Sequence, residues 1–137
     1  MIMRTRIAIV GSRVYTNNIK IKNFIFKLKE KYKDEVEIVS GGQPQGVDGY
    51  AKKYALEFNC KYVEFNPAHT VYNFYSALNE NYYGKQYSPK HFFIRNKMLA
   101  KYCDIVIGFI PNGIKSDGTI NTITEAKKLN KKVVIIS

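Results

Sequence analysis

The sequence predicts an α/β fold, a doubly wound parallel sheet of five strands. Short β-branched runs alternate along the chain with segments whose apolar residues recur at helical spacing. The runs are nearly continuous in apolar character, which is typical of parallel strands covered on both faces. With right-handed crossovers, the simplest strand order is 3-2-1-4-5. At 137 residues, we expect one domain spanning 1–137 with its own core.

The first half of the chain supplies three strands and two helices. Residues 6–10 read Arg-Ile-Ala-Ile-Val and stop at a glycine, which predicts strand one. Apolar residues at helical spacing between Ile21 and Tyr32 predict a helix with a solvated lysine face. Strand two is expected at 37–39, and a second helix follows through Phe58. The last run of this half predicts strand three at 61–65, which Asn-Pro closes.

The second half supplies two more helix–strand pairs. Apolar positions at helical spacing predict a helix over 91–102, and the buried run 104–109 predicts strand four. A loop leads into a last helix over 119–130, which carries lysines near its C-terminal end, where positive charge suits the helix dipole. Residues 132–136 are β-branched and predict strand five.

An aromatic-rich insertion precedes strand four. Regular periodicity fails over 68–90, and this insertion holds six tyrosine and phenylalanine residues, punctuated by Gly84 and Pro89. We expect a short helix around 71–78. One interpretation is a lid that packs on the body through its own aromatics; the other is a wall that stacks on a nucleobase. The sequence leaves both open. The six aromatic residues are Tyr72, Phe74, Tyr75, Tyr82, Tyr83 and Tyr87.

The chain is strongly basic. Lysine plus arginine number 22 and aspartate plus glutamate 11, so the net charge is 22 − 11 = +11. Such a balance suits nucleic acid or an anionic ligand. The charge is mostly lysine in a chain rich in isoleucine, asparagine and tyrosine, the residues that an AT-rich coding sequence favours. We favour that origin over a dedicated DNA-binding surface.

Composition also bounds location and cofactors. No apolar run approaches the length of a membrane span, so we expect no membrane partner. A strand begins almost at the N-terminus, so we expect no signal peptide and a cytoplasmic protein. Cys60 and Cys103 show no metal or redox spacing and are interpreted as buried thiols in a reducing compartment. No metal and no cofactor are expected.

The most informative stretch is the glycine-rich turn between strand two and its helix. It reads Ser-Gly-Gly-Gln-Pro-Gln-Gly-Val-Asp over residues 40–48. Its glycines permit backbone angles closed to other residues and let a ligand approach the main chain. The helix that follows offers N–H groups and the positive end of its dipole to a phosphate or carboxylate. Asp48 falls in the first helical turn, where it can cap N–H groups or accept from a ligand hydroxyl.

Other polar and glycine residues are expected at the same rim. In a doubly wound sheet, ligands bind beyond the carboxyl ends of the strands, at the point where the strand order reverses. Three strand ends bring glycine together with Ser, Thr, Arg or Asp, and an arginine able to form a bidentate pair with phosphate follows the insertion. This rim predicts a site for an anionic, hydroxylated ligand, most plausibly a nucleotide. The predicted ligand-binding residues are Gly11, Ser12, Arg13, Ser40, Gly41, Gly42, Gly46, Asp48, Arg95, Asn96, Gly118 and Thr119.

In their order along the chain, these motifs resemble the SLOG superfamily. That group joins the SMF or DNA-processing-protein-A family to the "lonely guy" phosphoribohydrolases, and small stand-alone members of the YspA-like kind look most similar. The resemblance covers nearly the whole chain apart from the insertion. It implies a Rossmann-like fold and a nucleotide or nucleotide-derived ligand. The motifs that carry it are Gly-Ser-Arg at 11–13, Ser-Gly-Gly at 40–42 with Gly-Val-Asp at 46–48, Arg-Asn at 95–96 with Met98, Asp-Ile-Val-Ile at 104–107 and Gly-Thr at 118–119.

The chain departs from the enzymes of this group at one position. They resemble a Pro-Gly-Gly-x-Gly-Thr-x-x-Glu pattern whose glutamate serves N-glycosidic cleavage. Thr122 stands at the matching position, and the nearest carboxylates are Asp117 and Glu125. Glu125 is one helical turn further on, and we expect it on a similar face. Asp117 and Glu125 are therefore the candidate catalytic residues if the chain is an enzyme, although the substitution favours binding without turnover.

Three functions follow from these residues. The first is a module that senses or sequesters a nucleotide or a nucleotide-derived molecule, and this is the one we favour. The second is a nucleotide N-glycosidic hydrolase that uses Glu125 or Asp117. The third is a single-stranded nucleic-acid binder that uses the rim, the lysines and the aromatic insertion. We expect a homo-oligomer in each case. No Walker-type lysine follows Gly46, so a triphosphatase is not expected.

Overall fold

A computed structural model describes residues 4–137, which form five strands and four α-helices in alternation. Most boundaries fall within one or two residues of those expected. Single turns of 3₁₀ helix lie at Lys33–Glu35 and Glu80–Tyr82. The elements are β1 (Thr5–Gly11), α1 (Asn18–Tyr32), β2 (Val36–Ser40), α2 (Gly46–Glu57), β3 (Lys61–Glu64), α3 (Lys90–Tyr102), β4 (Ile105–Phe109), α4 (Asp117–Lys128) and β5 (Lys132–Ile136).

The sheet has the predicted order, β3-β2-β1-β4-β5, and every neighbouring pair is parallel. The central strand is β1, in which Ile7 lies opposite Ile38 of β2 and Ile105 of β4. The chain winds outward to β3 and then returns to the other side of β1. The strand order therefore reverses between β1 and β4, where a ligand crevice is expected.

The two faces of the sheet carry separate core layers. Ile7 and Ile9 of β1 face α1 and α2, and they pack in one cluster with Ile21 and Ala51. The alternate residues of β1 belong to the second cluster, which includes Leu99 of α3 and Ile123 of α4. This alternation explains the continuous apolar runs, because both faces of each inner strand are buried against helices. The two rigid layers hold the strand ends and helix ends at the rim in fixed positions.

The expected helix over 71–78 is wrong. Asn73 accepts the backbone N–H of Tyr75 at 2.8 Å through its side-chain oxygen, and its amide donates to Glu64 Oε1 at 2.6 Å. An asparagine that bonds its local backbone in this way competes with helix formation. The segment instead runs along β3. The Glu64 N–H donates to the Tyr75 carbonyl at 2.9 Å, and Ala77 donates back to the Glu64 carbonyl at 2.8 Å.

The aromatic insertion thus covers the outer edge of the sheet at β3. Tyr75 packs edge-on against Tyr62 of that strand, with ring centroids 5.5 Å apart, and Tyr83 is buried. Phe74 projects into solvent with 89% of its surface exposed. The insertion packs on the body through part of its aromatic set, in line with the first of the two interpretations.

Candidate ligand-binding site

An open cavity of about 420 Å³ lies at the carboxyl ends of the strands, at the reversal point between β1 and β4. Its walls are formed by the loop that follows β1 (the β1 loop), the turn that follows β2 (the β2 turn), α3, the loop before α4 and the first turns of α4. Of the twelve predicted ligand-binding residues, Ser40, Gly42 and Gly46 are not in this lining. The other nine line it: Gly11, Ser12, Arg13, Gly41, Asp48, Arg95, Asn96, Gly118 and Thr119.

The α4 end of the cavity is rich in hydrogen-bond donors. Among residues 4–137, no side chain caps the N-terminus of α4. Ser116 and Thr119 instead bond each other through their hydroxyls at 2.7 Å, and both line the cavity with Gly118. The first N–H groups of a helix have no intrahelical acceptor, and the helix dipole adds partial positive charge there. This end of the cavity therefore suits an anionic group.

The β1 loop borders the same end. The Ser12 hydroxyl accepts the Val14 N–H at 3.1 Å, which fixes the loop beside the cavity. Arg13 is exposed and lines the cavity. Lys115, in the loop before α4, adds a second cation to the lining. Two exposed cations thus line this end of the cavity: Arg13 can donate to a bound anion, and Lys115, which lies 4.0 Å from Asp117, can do so by exchanging that partner.

The turn after β2 is filled by the protein's own groups. The Arg95 guanidinium donates from Nη1 to the carbonyl of Gly41 at 2.6 Å and to that of Phe65 at 3.2 Å. A Cβ added at Gly41 would lie 2.4 Å from this nitrogen. Gly42 has φ +79°, and a Cβ there would lie 1.8 Å from Asn66 Oδ1. These glycines make room for side chains of the fold, which explains why Gly42 is not in the cavity wall.

The N-terminus of α2 is also engaged within the protein. The Val47 N–H donates to the Ser12 carbonyl at 3.2 Å. Gly46 has φ +68°, and a Cβ there would lie 2.3 Å from that same carbonyl oxygen. The helix that was expected to receive a phosphate therefore uses its first turn to hold the β1 loop. Neither helix is capped by a side chain of the described residues, but Ser116, Gly118 and Thr119 at the start of α4 line the cavity, whereas Gly46 and Val47 of α2 do not.

Asp48 is the single carboxylate of the cavity lining. Its side chain accepts the Gln43 N–H at 3.3 Å, and the residue is 9% exposed. Burial raises the pKa of Asp48 to about 6, because desolvation disfavours the charged form; the Arg95 guanidinium and the Gln43 N–H act in the opposite direction. Burial likewise lowers the pKa of Arg95, and Asp48 opposes that shift. Asp48, which is buried, and Arg95, which is half-buried, thus interact electrostatically within the cavity wall.

Asn96 connects this pair to α4. Its Oδ1 accepts from Arg95 Nε at 2.9 Å, and its amide donates to Asn121 Oδ1 at 3.0 Å and to the Gly118 carbonyl at 3.4 Å. Arg95 lies in the second turn of α3. The Arg-Asn motif therefore fixes the β2 turn and the first turn of α4 relative to each other. Arg95 lines the cavity, yet its Nη1 and Nε already have partners in the fold.

The two candidate catalytic carboxylates lie outside the cavity lining. Asp117 is exposed and lies 4.0 Å from Lys115, and Glu125 pairs with Lys128 at 3.4 Å. The structure does not bring Glu125 into the cavity lining beside Thr122. Three positions turn the direction by about 300°, which is only about 60° from that of Thr122, but they also carry Glu125 roughly 4.5 Å further along the helix, beyond the cavity lining. Thr122 itself is buried in the wall, and its hydroxyl donates to the Gly118 carbonyl at 3.2 Å.

Sequence reasoning missed the apolar wall of the cavity. Phe92, Leu99 and Ile114 line it, together with Val10 and Val14. The helical spacing of α3 gave a signal for Leu99 as a core residue. For Phe92 the only hint of a place in the site was its position, one helical turn before Arg95. None of residues 68–90 lines the cavity, so the aromatic surface at the site comes from α3 rather than from the insertion.

Within residues 4–137, no group of three or more His, Cys, Asp or Glu side chains is placed to hold a metal ion. Over the same residues, no helix has both the length and the apolar character needed to span a bilayer. Cys60 and Cys103 are free thiols and both are buried, as expected.

The fold and the position of the cavity define a Rossmann-like protein of the SLOG type. The family model described as DNA recombination-mediator protein A matches residues 1–137. The chain therefore belongs to the DNA recombination-mediator protein A family, and the resemblance to the SLOG superfamily is confirmed.

Solved structures with the same fold include two proteins named for the molybdenum cofactor. The molybdenum cofactor binding protein of Rippkaea orientalis superposes with a TM-score of 0.71 at 19% identity, over 98% of this chain and 77% of that one. The molybdenum cofactor carrier protein of Chlamydomonas reinhardtii gives 0.66 at 17% identity, over 96% and 76%. At these identities the likeness concerns the fold alone. A search of curated proteins found no match.

Proposed function

We propose that the chain binds a nucleotide or a nucleotide-derived small molecule in the cavity between β1 and β4, and captures it without turnover. The observation that carries this proposal is that the start of α4, which no side chain of residues 4–137 caps, lines the cavity together with Arg13 and Lys115. Helix N–H groups and flexible cations together suit a phosphate. Ser12 and Thr119 are also in the lining, and in this proposal their hydroxyls bond phosphate or ribose oxygens.

The rest of the cavity suits a heterocycle. Phe92 and Leu99 on α3 and Ile114 in the loop before α4 give an apolar wall beside the donor-rich end. A pocket with an apolar body and a few converging polar groups is typical of small-molecule sites. Its volume of about 420 Å³ lies in the usual range for such ligands.

The arrangement of carboxylates supports binding rather than hydrolysis. Cleavage of an N-glycosidic bond develops positive charge on the sugar, and a carboxylate must stabilise that charge or activate water. Asp117 and Glu125 are outside the lining, and Thr122 carries no charge. Asp48 lines the cavity, but it bonds the β2 turn and faces Arg95. We therefore expect no release of free base from nucleoside monophosphates or NAD.

The first experiment identifies the ligand. Purified protein is denatured, and the released small molecules are analysed by mass spectrometry beside a matched Arg13→Ala preparation. We expect a phosphorylated heterocycle that copurifies with the wild-type chain and is depleted in the variant. Calorimetric titration with AMP and NAD then measures affinity directly. Preparations that release nothing and bind neither compound would contradict the proposal.

A second candidate function is single-stranded nucleic-acid binding, which the family match and the net charge of +11 support. The two functions respond differently to salt. Binding of a strand through lysines should weaken with a log–log slope of about −0.7 per phosphate contact. A mononucleotide in the cavity makes few phosphate contacts and should show a much shallower slope. Steep salt dependence with long oligonucleotides and no binding of mononucleotides would select the second function.

A further inference from the structure

The two edge strands of the sheet differ in whether another segment covers their outer side. The edge at β3 is covered by the aromatic insertion, through backbone bonds of Glu64 with Tyr75 and Ala77. The edge at β5 has no such cover: among residues 4–137, no strand or loop makes a backbone bond to its outer side. Exposed strand edges pair readily with other strands, and natural proteins usually protect them.

The backbone direction of β5 follows from one hydrogen bond. Ile110 donates its N–H to the Ile136 carbonyl at 2.8 Å, so the polar groups of Ile136 point inward to β4. Backbone groups alternate in direction along a strand. The N–H and C=O groups of Val133 and Ile135 therefore point outward, and those of Val134 point inward. The free edge thus presents two donors and two acceptors.

The side chains of β5 leave this edge unprotected. Val134 and Ile135 are 36% and 52% exposed, which is unusual for adjacent apolar residues on opposite faces of one strand. The strand contains no proline and pairs with β4 in unbroken register over its full length. Its one charged residue is Lys132, at the start. Ile19 of α1 is also exposed, and the neighbouring Lys20 bonds the Ser137 carbonyl at 2.7 Å, so apolar surface continues past the strand end.

We propose that β5 is a dimer interface in which two copies of this chain pair antiparallel about a two-fold axis through Val134. In this register, Val133 of one copy and Ile135 of the other exchange two N–H···O bonds, and symmetry repeats the exchange, which uses every outward group of both residues. Val134 faces its own copy across the axis as a non-hydrogen-bonded pair. The result is a continuous ten-stranded sheet.

Self-pairing also fits the charge of the strand. The register places Lys132 opposite Ile136 of the other copy, so no lysine of β5 faces a lysine. The two Lys132 residues are offset by four residues along the strands, or roughly 13 Å, which exceeds the Debye length of about 8 Å at physiological salt. Because both copies are basic overall, we expect the dimer to tighten as salt rises. A complex with a nucleic acid or an acidic partner would weaken instead.

Sedimentation velocity over a wide concentration range tests the interface. We expect a monomer–dimer equilibrium in the wild-type chain, and a dissociation constant at least about tenfold weaker in Ile135→Lys. The matched control is Val71→Lys, which introduces the same charge at an 83% exposed position outside the sheet. Because a lysine in β5 can disturb folding, Ile135→Thr serves as a milder variant with an intermediate effect. A wild-type chain that stays monomeric at about 0.5 mM in high salt would overturn the proposal.

Disulfide trapping tests the register. Non-hydrogen-bonded antiparallel pairs have Cα atoms about 4.5 Å apart, within disulfide range. Val134→Cys should therefore form a cross-linked dimer under mild oxidation, whereas Lys132→Cys should not. Cys60 and Cys103 are buried and give a low background. Cross-linking that is equal at the two positions would exclude this register. The outcome is independent of ligand binding, because the interface lies at the sheet edge and the cavity at the carboxyl rim.

Discussion

The turn after β2 and the first turn of α4 both lie at the carboxyl rim of the sheet. Other parts of the protein pack against the turn after β2, whereas the space around Gly118 in α4 is open. The Gly41 carbonyl accepts from Arg95, and Asn66 and Glu64 crowd the side-chain direction of Gly42. Gly118 of α4 has no atom within 4 Å of an added Cβ. Glycine is needed in the turn after β2 because side chains of the protein itself occupy the space that a Cβ would need. At Gly118, in the first turn of α4, the surrounding space is open.

Charge distinguishes the two regions in the same way. At the β2 turn, Arg95 faces the buried Asp48, so its positive charge is already balanced within the protein. At α4, the cations of the lining are exposed and the helix end is uncapped. A ligand anion gains most where positive charge is not yet balanced, which at α4 applies chiefly to Arg13, because Lys115 lies 4.0 Å from Asp117. The turn after β2 thus has a structural role, and the proposed function assigns ligand binding to the start of α4.

The largest expected effect is on stability at the β2 turn. Gly42→Val should lower the free energy of unfolding by roughly 3 kcal/mol or more, because of overpacking and a positive φ. The Cβ would lie 1.8 Å from Asn66 Oδ1 at φ +79°. Urea unfolding measures the loss. Gly118→Ala is the matched control, and we expect it to be neutral or slightly stabilising. A Gly42→Val chain as stable as the wild type would show that the turn has room to spare.

A smaller effect is expected from the titration of Asp48. Its pKa is raised from 3.8 to about 6 in the folded state, so the folded protein binds this proton more tightly than the unfolded chain. The resulting stability is fully present below about pH 4 and is lost as the pH rises through about 6. Relative to Asp48→Asn, the wild-type chain should lose roughly 1–3 kcal/mol between about pH 4 and 7.

Thermal or urea unfolding of both chains across this range gives the difference directly. The subtraction removes the other titrating groups, which the two chains share. A difference that stays constant with pH would mean that Asp48 keeps an ordinary pKa and that Arg95 outweighs its burial.

The smallest effect is on affinity at the α4 end. Arg13→Ala should weaken binding of a phosphorylated ligand about tenfold, equivalent to about 1.4 kcal/mol, with no change in unfolding. Lys97→Ala removes the same charge from an exposed position on α3 that does not line the cavity. Equal losses in the two variants would indicate a general charge effect. Equal affinity in Arg13→Ala and wild type would remove Arg13 from the site.

Much of the fold was predictable because local patterns and topology agree. The apolar run ending at Val10 and its counterparts fixed the strands, and right-handed crossovers fixed their order. The helix expected over 71–78 failed on tertiary bonds, since Glu64 of β3 accepts from Asn73 and draws the segment along the strand. Spacing along the chain contains no information about such a partner.

The location of the site at the rim was predictable from the sequence. Which of the two turns packs against the protein and which lines the cavity was not. Gly11 through Arg13 and Gly118 with Thr119 were placed at the cavity by strand-end reasoning alone. The turn at 40–48 gave the stronger glycine signal, because glycine marks any close approach, whether by a ligand or by Arg95. Phe92 was missed because its role depends on how α3 docks beside the loop that precedes α4.

A backbone NMR titration with AMP tests the central claim most directly. If the α4 half holds the phosphate, the largest amide shifts should fall on Ser12, Arg13, Gly118 and Thr119, while the amides of Gly41 and Gly42 move little. The glycine amides of the two turns provide separate reporters within one spectrum. Large shifts at Gly41 and Gly42 with none at Gly118 would contradict the account and return the phosphate to the turn after β2.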